Sequence, residues 1–174
     1  MQPIRIGLLG AGAMGAEHSY CYGLIDGADV AGVFSRDLAH ATPLASASGA
    51  RATADAASLI DDPAIDAIDV CVPSAAHAAV VVRALEQGKH VFCETPLTLD
   101  PAEGQRMREA ARRAGRLLQV SLLTRSIGAC RLARRAVETG EHGRLLSLTT
   151  SGSALTCGPA RPTTRTTTPI PRPS

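Results

Sequence analysis

An apolar segment that runs directly into a glycine-rich turn opens the chain. Residues Ile4–Leu9 are followed by Gly10-Ala11-Gly12-Ala13-Met14-Gly15, and a helical pattern begins within this turn. In a dinucleotide-binding fold the first glycine permits a tight turn, the second lets the backbone approach a pyrophosphate, and the third lets the helix pack closely on the strand. The N–H groups at the start of the helix are then expected to face the phosphates. A glycine turn that binds no ligand is the alternative interpretation.

Strand-like and helical patterns alternate along most of the chain. The strand-like runs lie at Ile4–Leu9, Val30–Phe34, Ile68–Val72, His90–Cys93 and Leu117–Val120, and the helical patterns at 13–25, 38–48, 55–61, 75–87, 101–114 and 126–139. Such alternation predicts an α/β fold with a doubly wound parallel sheet of the Rossmann type. Apolar residues make up 45% of the chain and aromatic residues 2%, so the core must be packed from Val, Ile, Leu and Ala.

Charge and cysteine content exclude several classes of function. A net charge of +2 gives no reason to expect a nucleic-acid partner. No apolar run reaches the roughly 18 residues that span a bilayer. The five cysteines form no Cys-x-x-Cys pair, so we expect them to be buried free thiols of a reducing cytoplasm, and we expect no metal site. The sequence predicts a cytoplasmic protein whose partner is a small molecule, with neither nucleic acid nor membrane.

The residue that follows the second strand bears on the choice of cofactor. An acidic residue about 20 positions after the third glycine usually binds the ribose diol of NAD, and here that position is Ser35, followed by Arg36. An Arg beside a hydroxyl can hold a 2′-phosphate by charge-assisted hydrogen bonds. We therefore expect NADP to be preferred, with NAD possible. The alternative is a polar turn in which Asp37 caps the next helix.

Two further strands end in residues that could contact a ligand. The third strand is followed by Pro73, Ser74 and His77, and the next by Glu94 and Pro96. Open α/β sheets bind ligands at the carboxyl ends of their strands, near the glycine turn. Taken alone, His77 reads equally as a surface residue in the first turn of a helix, and Glu94 as a solvated strand end.

Several of these motifs together resemble the N-terminal half of the glucose-fructose oxidoreductase and inositol dehydrogenase family (Gfo/Idh/MocA). They are the glycine turn, the run Cys71-Val72-Pro73-Ser74 with His77 beyond it, the run from Ala84 to Leu97, and the run from Glu138 to Leu145. The resemblance covers residues 4 to about 149. It implies a Rossmann domain, normally joined to a second α/β domain, and oxidation or reduction of sugars, polyols and related molecules with NAD or NADP.

The motifs and the resemblance together give a set of expected site residues. The expected cofactor contacts are Gly10, Ala11, Gly12, Ala13, Met14, Gly15, Ser35, Arg36, Pro73, Ser74, His77, Glu94 and Pro96. The usual Glu-Lys-Pro of the family reads Glu94-Thr95-Pro96 here, which makes Thr95 the candidate at the catalytic position. Threonine offers neither the positive charge nor the titratable ammonium of lysine, so catalysis by the usual arrangement is in doubt.

The chain divides into three predicted parts. Residues 1–122 form the dinucleotide-binding domain, and residues 123–150 form a linker helix and the first strand of an otherwise missing second domain. Residues 151–174 hold six Thr, five Pro and three Arg with no acid, which predicts a disordered tail. We also consider a tail translated out of frame, which makes the chain a fragment. Relatives associate through the second domain, so a homo-oligomer is expected only of a full-length protein.

Three functions follow as hypotheses. The first is an NAD(P)-dependent oxidoreductase acting on a sugar, polyol or related hydroxy or carbonyl compound, here as an N-terminal fragment of little activity. The second is a non-catalytic NAD(P)-binding module, which Thr95 and the missing domain favour. The third is a methyltransferase that uses S-adenosylmethionine, which usually needs an acid after the second strand and finds Ser35 and Arg36 there instead.

Overall fold

The computed structural model describes residues 2–151 and 165–168. The chain divides into two compact units between Leu122 and Leu123. Among the described residues, no helix combines the length and the apolar character that crossing a membrane requires.

The first unit is built on a parallel sheet of six strands. The strands are β1 (Ile4–Leu9), β2 (Ala28–Phe34), β3 (Arg51–Thr53), β4 (Ala67–Val70), β5 (His90–Cys93) and β6 (Leu118–Val120). The helices are α1 (Ala13–Tyr22), α2 (Leu38–Ser48), α3 (Ala57–Ile60), α4 (His77–Glu86) and α5 (Pro101–Ala114), with a 3₁₀ turn over Ser74–Ala76. The strand order is β3-β2-β1-β4-β5-β6, so the direction of winding reverses between β1 and β4. This order confirms the doubly wound Rossmann fold.

The two faces of the sheet carry separate apolar cores. Leu8 of β1 packs with Val33 and with the small residues Ala41 and Ala45 of α2. Its neighbour Leu9 belongs to the cluster on the other face, which also holds the buried residues of α4 and α5. Successive strand residues point to opposite faces, so a buried strand with helices on both sides must be apolar along its whole length.

The predicted elements agree with the structure except at short segments. Strand β3 was not predicted, because three residues are too few to show a periodic pattern. The predicted helix over 126–139 corresponds to α7 (Gly128–Thr139), and the short helix α6 (Leu123–Ser126) that precedes it was not predicted. The alternative interpretation of Asp37 is correct in one respect, since its carboxylate accepts a hydrogen bond from the N–H of Ala39 and caps α2.

The second unit contains α6, α7 and a two-stranded ribbon. Strand β7 (Leu148–Ser151) pairs antiparallel with β8 (Arg165–Thr168). Of the segment 151–174, which the sequence predicts to be disordered, Ser151 lies in β7 and Arg165–Thr168 form β8, where β-branched threonines favour a strand. The rest of that prediction lies outside the described residues.

The cysteines differ from the expectation of five buried thiols. Cys93 is buried and Cys71 half-buried, whereas Cys21 and Cys130 are exposed on their helices. All four are free thiols. The strand pattern identified Cys93 correctly, whereas Cys71 follows the end of β4 and is only partly buried. A helical position gave no information about the burial of Cys21 and Cys130. Cys157 lies outside the described residues.

Candidate functional site

The turn after β1 is held against the end of β4. Gly10 has a φ of +116°, and its N–H donates to the carbonyl oxygen of Phe34 at 2.9 Å. A Cβ on Gly10 would lie 2.5 Å from the carbonyl oxygen of Cys71, so no side chain fits there. The structure therefore contains the tight turn that was expected at the first glycine. The close approach of the Cys71 carbonyl explains why this position must be glycine.

The other two glycines of the turn differ in their surroundings. A Cβ on Gly15 would collide with the carbonyl oxygen of Gly10, so α1 packs directly on the turn. A Cβ on Gly12 would meet no atom within 4 Å. Gly12 is also the N-cap of α1, where no described side chain caps the helix and no acidic residue lies in the first turn. Open space beside uncapped N–H groups suits an anion such as a pyrophosphate.

A cleft of about 850 Å³ lies at this edge of the sheet. Its walls come from the turn after β1, the end of β2 and the segment after β4, which meet where the winding reverses. Of the predicted cofactor contacts, the lining includes Gly10, Ala11, Gly12, Ala13, Met14, Ser35, Arg36 and Pro73, together with Phe34, Ala56, Cys71, Val72, Ala75, Ala76 and Val80. Gly15, Ser74, His77, Glu94 and Pro96 are not part of the lining.

The end of β2 presents a cation to the cleft without a neighbouring free carboxylate. Arg36 is exposed and forms no ion pair with any described residue. Asp37, the nearest acid in sequence, is engaged at the start of α2 and lies 3.8 Å from His40. The cleft wall at this point is therefore formed by a hydroxyl and a guanidinium.

His77 occupies a different place from either expectation. Its side chain is 1% exposed, so it is not a surface residue. Nε2 lies 2.8 Å from the carbonyl oxygen of Val72, and Nδ1 lies 3.0 Å from that of Pro96 and 3.3 Å from that of Leu97. Both nitrogens contact backbone, which leaves none for a cofactor. The ring instead joins the segments that follow β4 and β5. Ser74 begins the 3₁₀ turn ahead of it.

The segment after β5 lies beyond the cleft lining, on the side away from β2. The Thr95–Pro96 peptide bond is cis, and both residues are exposed. Glu94 is largely buried, with its side chain 13% exposed. Its Oε2 accepts a hydrogen bond from the N–H of Thr95 at 3.1 Å. Glu94 is therefore a fixed carboxylate rather than the solvated strand end of the alternative interpretation.

A buried polar cluster, not predicted from the sequence, lies beneath the turn. We call His18, Tyr22, Asp69, Cys71 and Glu94 the His18 cluster. The carboxylate of Asp69 is 1% exposed, and its Oδ2 lies 2.8 Å from His18 Nδ1 and 2.9 Å from the donating hydroxyl of Tyr22. His18 Nε2 lies 3.1 Å from Glu94 Oε1. That contact is not aligned as a hydrogen bond, and Oε1 has no other partner among the described residues.

One sequence signal could have revealed this cluster. Asp69 stands inside the buried apolar strand β4, between Ile68 and Val70. A buried carboxylate needs a partner. His18 and Tyr22 are four residues apart on α1 and so face the same side of the helix. The pairing depends on how α1 crosses β4, which periodicity alone does not give.

The cluster changes the protonation of its members. The hydrogen bond that His18 donates to Asp69 raises the pKa of His18 above its usual range, with a smaller contribution from the charge of Glu94, while partial burial opposes the shift. Burial raises the pKa of the Cys93 thiol to about 12. Burial, followed by the charge of Asp69, also raises the pKa values of Tyr22 and Cys71. The Tyr22, Cys71 and Cys93 side chains are therefore uncharged near neutral pH, and the contacts with Asp69 and Glu94 favour the cationic form of His18 relative to a free imidazole.

The same atoms come close enough to raise the question of a metal ion. Ligand atoms of His18, Asp69 and Cys71 lie within 4.8 Å of one another. The 2.8 Å between His18 Nδ1 and Asp69 Oδ2 is a hydrogen-bond length. Tetrahedral ligands at about 2.0–2.3 Å from zinc lie roughly 3.3–3.7 Å apart. The described geometry fits a hydrogen-bonded cluster.

Comparison with known proteins agrees with the fold. Residues 4–122 match a family model described as "Oxidoreductase family, NAD-binding Rossmann fold", named GFO_IDH_MocA. A levoglucosan dehydrogenase from Pseudarthrobacter phenanthrenivorans is 34% identical over 156 residues, which are 84% of this chain and 40% of that protein. An inositol 2-dehydrogenase from Leifsonia xyli is 36% identical over 147 residues, which are 83% of this chain and 43% of that protein.

A solved structure has the same fold. A 3-ketoreductase from Actinomadura kijaniata, in complex with NADP and TDP-benzene, superposes with a TM-score of 0.75 at 26% identity. The match covers 80% of this chain and 43% of the ketoreductase. The chain thus spans less than half the length of the relatives it matches. With its glycine turn, cleft and strand order all in place, it belongs to the Gfo/Idh/MocA family of oxidoreductases with an NAD-binding Rossmann fold.

Proposed function

We propose that this chain is the cofactor-binding part of an NAD(P)-dependent oxidoreductase that acts on a sugar, a polyol or a related hydroxy or carbonyl compound. The observation that carries the proposal is the open space at Gly12, beside the uncapped N-terminus of α1 and within the cleft. Family membership supports the oxidoreductase class and argues against the methyltransferase hypothesis. The dehydrogenases of inositol and levoglucosan among the relatives support the substrate class.

The residues of the cleft fit a dinucleotide in three ways. The turn Gly10–Gly15 and the first N–H groups of α1 would hold the pyrophosphate. Ser35 and Arg36 would hold the adenosine ribose, and Val72 and Pro73 would form the wall opposite the turn. When bound, the cofactor supplies hydride transfer at the nicotinamide. The chain itself binds and orients it.

We propose that NADP is preferred over NAD. Arg36 lines the cleft with its charge free of any ion pair to the described residues, and Asp37 is engaged in capping α2. A 2′-phosphate would therefore meet a guanidinium and a hydroxyl without a competing carboxylate. The ketoreductase structure that contains NADP supports the compatibility of this fold with that cofactor.

We further propose that this chain turns over little substrate. Thr95, at the expected catalytic position, is exposed and brings no titratable group. The same residue is the observation that favours the second candidate function, a cofactor-binding module without catalysis. The two candidates share the cleft and differ only in activity.

Fluorescence titration of the 174-residue chain with NADPH, NADH and S-adenosylmethionine tests the proposal. We expect NADPH to bind more tightly than NADH, and S-adenosylmethionine not to bind. Gly12→Ala should weaken both nicotinamide cofactors at least tenfold, because its methyl group enters the space meant for the pyrophosphate while disturbing no protein atom. Assays with inositol and levoglucosan as substrates then separate the enzyme from the module.

Gly128→Ala is the matched control for this experiment. A Cβ on Gly128 also meets no atom within 4 Å, but Gly128 is at the start of α7 in the second unit. It should bind both cofactors like the unaltered chain. Equal loss of affinity in both variants, or binding unaffected by Gly12→Ala, would contradict the proposed pyrophosphate site.

A further inference from the structure

The cleft fixes which end of a bound dinucleotide reaches the His18 cluster, given the proposed function. The glycine turn would hold the pyrophosphate, and Ser35 and Arg36, which follow β2, would hold the adenosine ribose. In the strand order, β2 is on one side of β1, and β4 and β5 are on the other. The nicotinamide half therefore extends over the ends of β4 and β5. Glu94 stands at the end of β5.

His18 contacts a carboxylate with each of its ring nitrogens. Nδ1 lies 2.8 Å from Asp69, and Nε2 lies 3.1 Å from Glu94. A neutral imidazole has one N–H, so one of its nitrogens would then point a lone pair at a carboxylate. Only the imidazolium presents a proton to both sides. The side chain is 12% exposed, so water screens these contacts weakly.

We propose that His18, as an imidazolium between Asp69 and Glu94, is a positioning residue for the nicotinamide half of the cofactor site, and that cofactor affinity falls when His18 loses its proton. The imidazolium holds the Glu94 carboxylate at the end of β5, where it can accept hydrogen bonds from donors on that half of the cofactor, such as ribose hydroxyl groups. His18 acts through Glu94 and touches no reacting atom.

Loss of the proton has a defined consequence for Glu94. The remaining N–H stays with Asp69, whose contact with the ring is the shorter and is the main cause of the raised pKa of His18. Nε2 then presents a lone pair to Glu94 Oε1, an oxygen that has no hydrogen-bond partner among the described residues. Repulsion moves the carboxylate away from its position. The site also loses a positive charge beside a cofactor that is itself anionic.

The thiol and phenol groups that face His18 stay uncharged while His18 loses its proton. Cys71 lies 3.3 Å from Nδ1, and Tyr22 donates to Asp69. Burial raises the pKa values of both, as it does for Cys93 behind them. The aromatic ring of Phe92, 5.5 Å from the imidazole, carries no charge. Within the cluster, His18 is the group whose charge changes as the pH rises above the ordinary pKa of histidine, 6.5.

Titration of the full chain with two probes over a range of pH tests this proposal. NADPH spans the whole site, whereas 2′,5′-ADP occupies only the adenosine half. Between about pH 7 and pH 9.5, above the second pKa of roughly 6 for a phosphate monoester, we expect the Kd of NADPH to rise about tenfold, as for loss of one charge-assisted hydrogen bond. The Kd of 2′,5′-ADP should change less than twofold.

Three variants make the result specific. His18→Gln and Glu94→Gln should each weaken NADPH binding at pH 7 and abolish its pH dependence, while 2′,5′-ADP binding stays unchanged. His142→Gln, which alters an exposed histidine of the second unit, should bind NADPH with the same pH dependence as the unaltered chain. Circular dichroism confirms folding, and Glu94→Gln remains a valid test if His18→Gln does not fold.

The possible failures can be distinguished. Failure of both probes to bind overturns the proposed function and this inference with it. Binding of both probes with a flat NADPH profile overturns the role of His18 alone. If the Kd of NADPH still depends on pH in His18→Gln and Glu94→Gln, the pH dependence belongs to another group, and the role of His18 is also overturned.

Discussion

The ring of His77 lies 3.0 Å from the carbonyl oxygen of Pro96, so the first residue of α4 is bound to the segment that follows β5. The opposite ring nitrogen contacts the carbonyl oxygen of Val72, in the segment that follows β4. One buried side chain therefore sets the spacing between two loops at the carboxyl edge of the sheet. The sequence predicts a ligand contact for His77, whereas in the structure its ring is bound to the backbone of these two loops.

Replacement of His77 by Ala should destabilise the chain by about 2–4 kcal/mol, because it leaves a cavity and removes the hydrogen-bonding partner of backbone carbonyl groups in two loops. Urea unfolding followed by circular dichroism measures the change. His40→Ala, at a side chain that is 71% exposed, should change stability by no more than about 0.5 kcal/mol. Equal stability of the two variants would refute the supporting role of His77.

Gly15→Ala should destabilise the chain by about 1–3 kcal/mol, because the new methyl group collides with the carbonyl oxygen of Gly10 and α1 must move. Gly12→Ala should leave stability within about 0.5 kcal/mol, since its methyl group meets no atom. Thermal unfolding of the two variants side by side measures the contrast. If both glycines tolerate alanine equally, α1 does not pack on the turn as described.

Arg36→Ala should raise the Kd of NADPH by roughly 10- to 100-fold through loss of about 1.5–3 kcal/mol of charge-assisted hydrogen bonding, and leave the Kd of NADH within about twofold. Competition titrations with the two cofactors measure the selectivity. Arg112→Ala, an exposed arginine near the end of α5, is the control for loss of surface charge. NADPH and NADH weakened to the same degree would rule out a 2′-phosphate site at Arg36.

Stability should decrease as the pH rises through the range in which His18 deprotonates. The folded state raises the pKa of His18 from about 6.5, so its contribution is complete below that value and is lost as pH rises through the higher pKa of the folded state. Urea unfolding at several pH values from about 6 upwards measures the slope. His18→Gln should remove that part of the slope. Parallel profiles for the two proteins would show that His18 contributes nothing to it.

The parts of the fold that could be predicted from the sequence are those set by repeating patterns. Strands β1 and β5 and helices α2 and α5 have the predicted boundaries, because each joins an apolar period to a clear start or stop signal. Asp100, for example, accepts a hydrogen bond from the N–H of Ala102 and caps α5 as its sequence position suggests. Strand β3 has no such signal, since its pairing with β2 is a tertiary effect.

The cleft could be predicted for a similar reason, and the polar cluster could not. The residues from Gly10 to Met14, with Ser35 and Arg36, form a sequence motif whose geometry follows from local sterics. His18, Asp69 and Glu94 are far apart in sequence and meet only because α1 crosses over β4 beside the end of β5. Asp69 inside the apolar strand β4 indicates that a buried partner is needed, but the crossing of α1 that supplies His18 does not follow from residue types or spacing.

The close packing of α1 on the glycine turn has a consequence for the kinetics of binding. The turn is held by the protein's own contacts, the Gly10–Phe34 hydrogen bond and the close approach to the backbone of Cys71. A cofactor that binds there orders little additional backbone, so little conformational entropy is lost on that side of the site. The association rate at the turn is then governed by diffusion and by the orientation of the incoming molecule, without a waiting time for a loop to close.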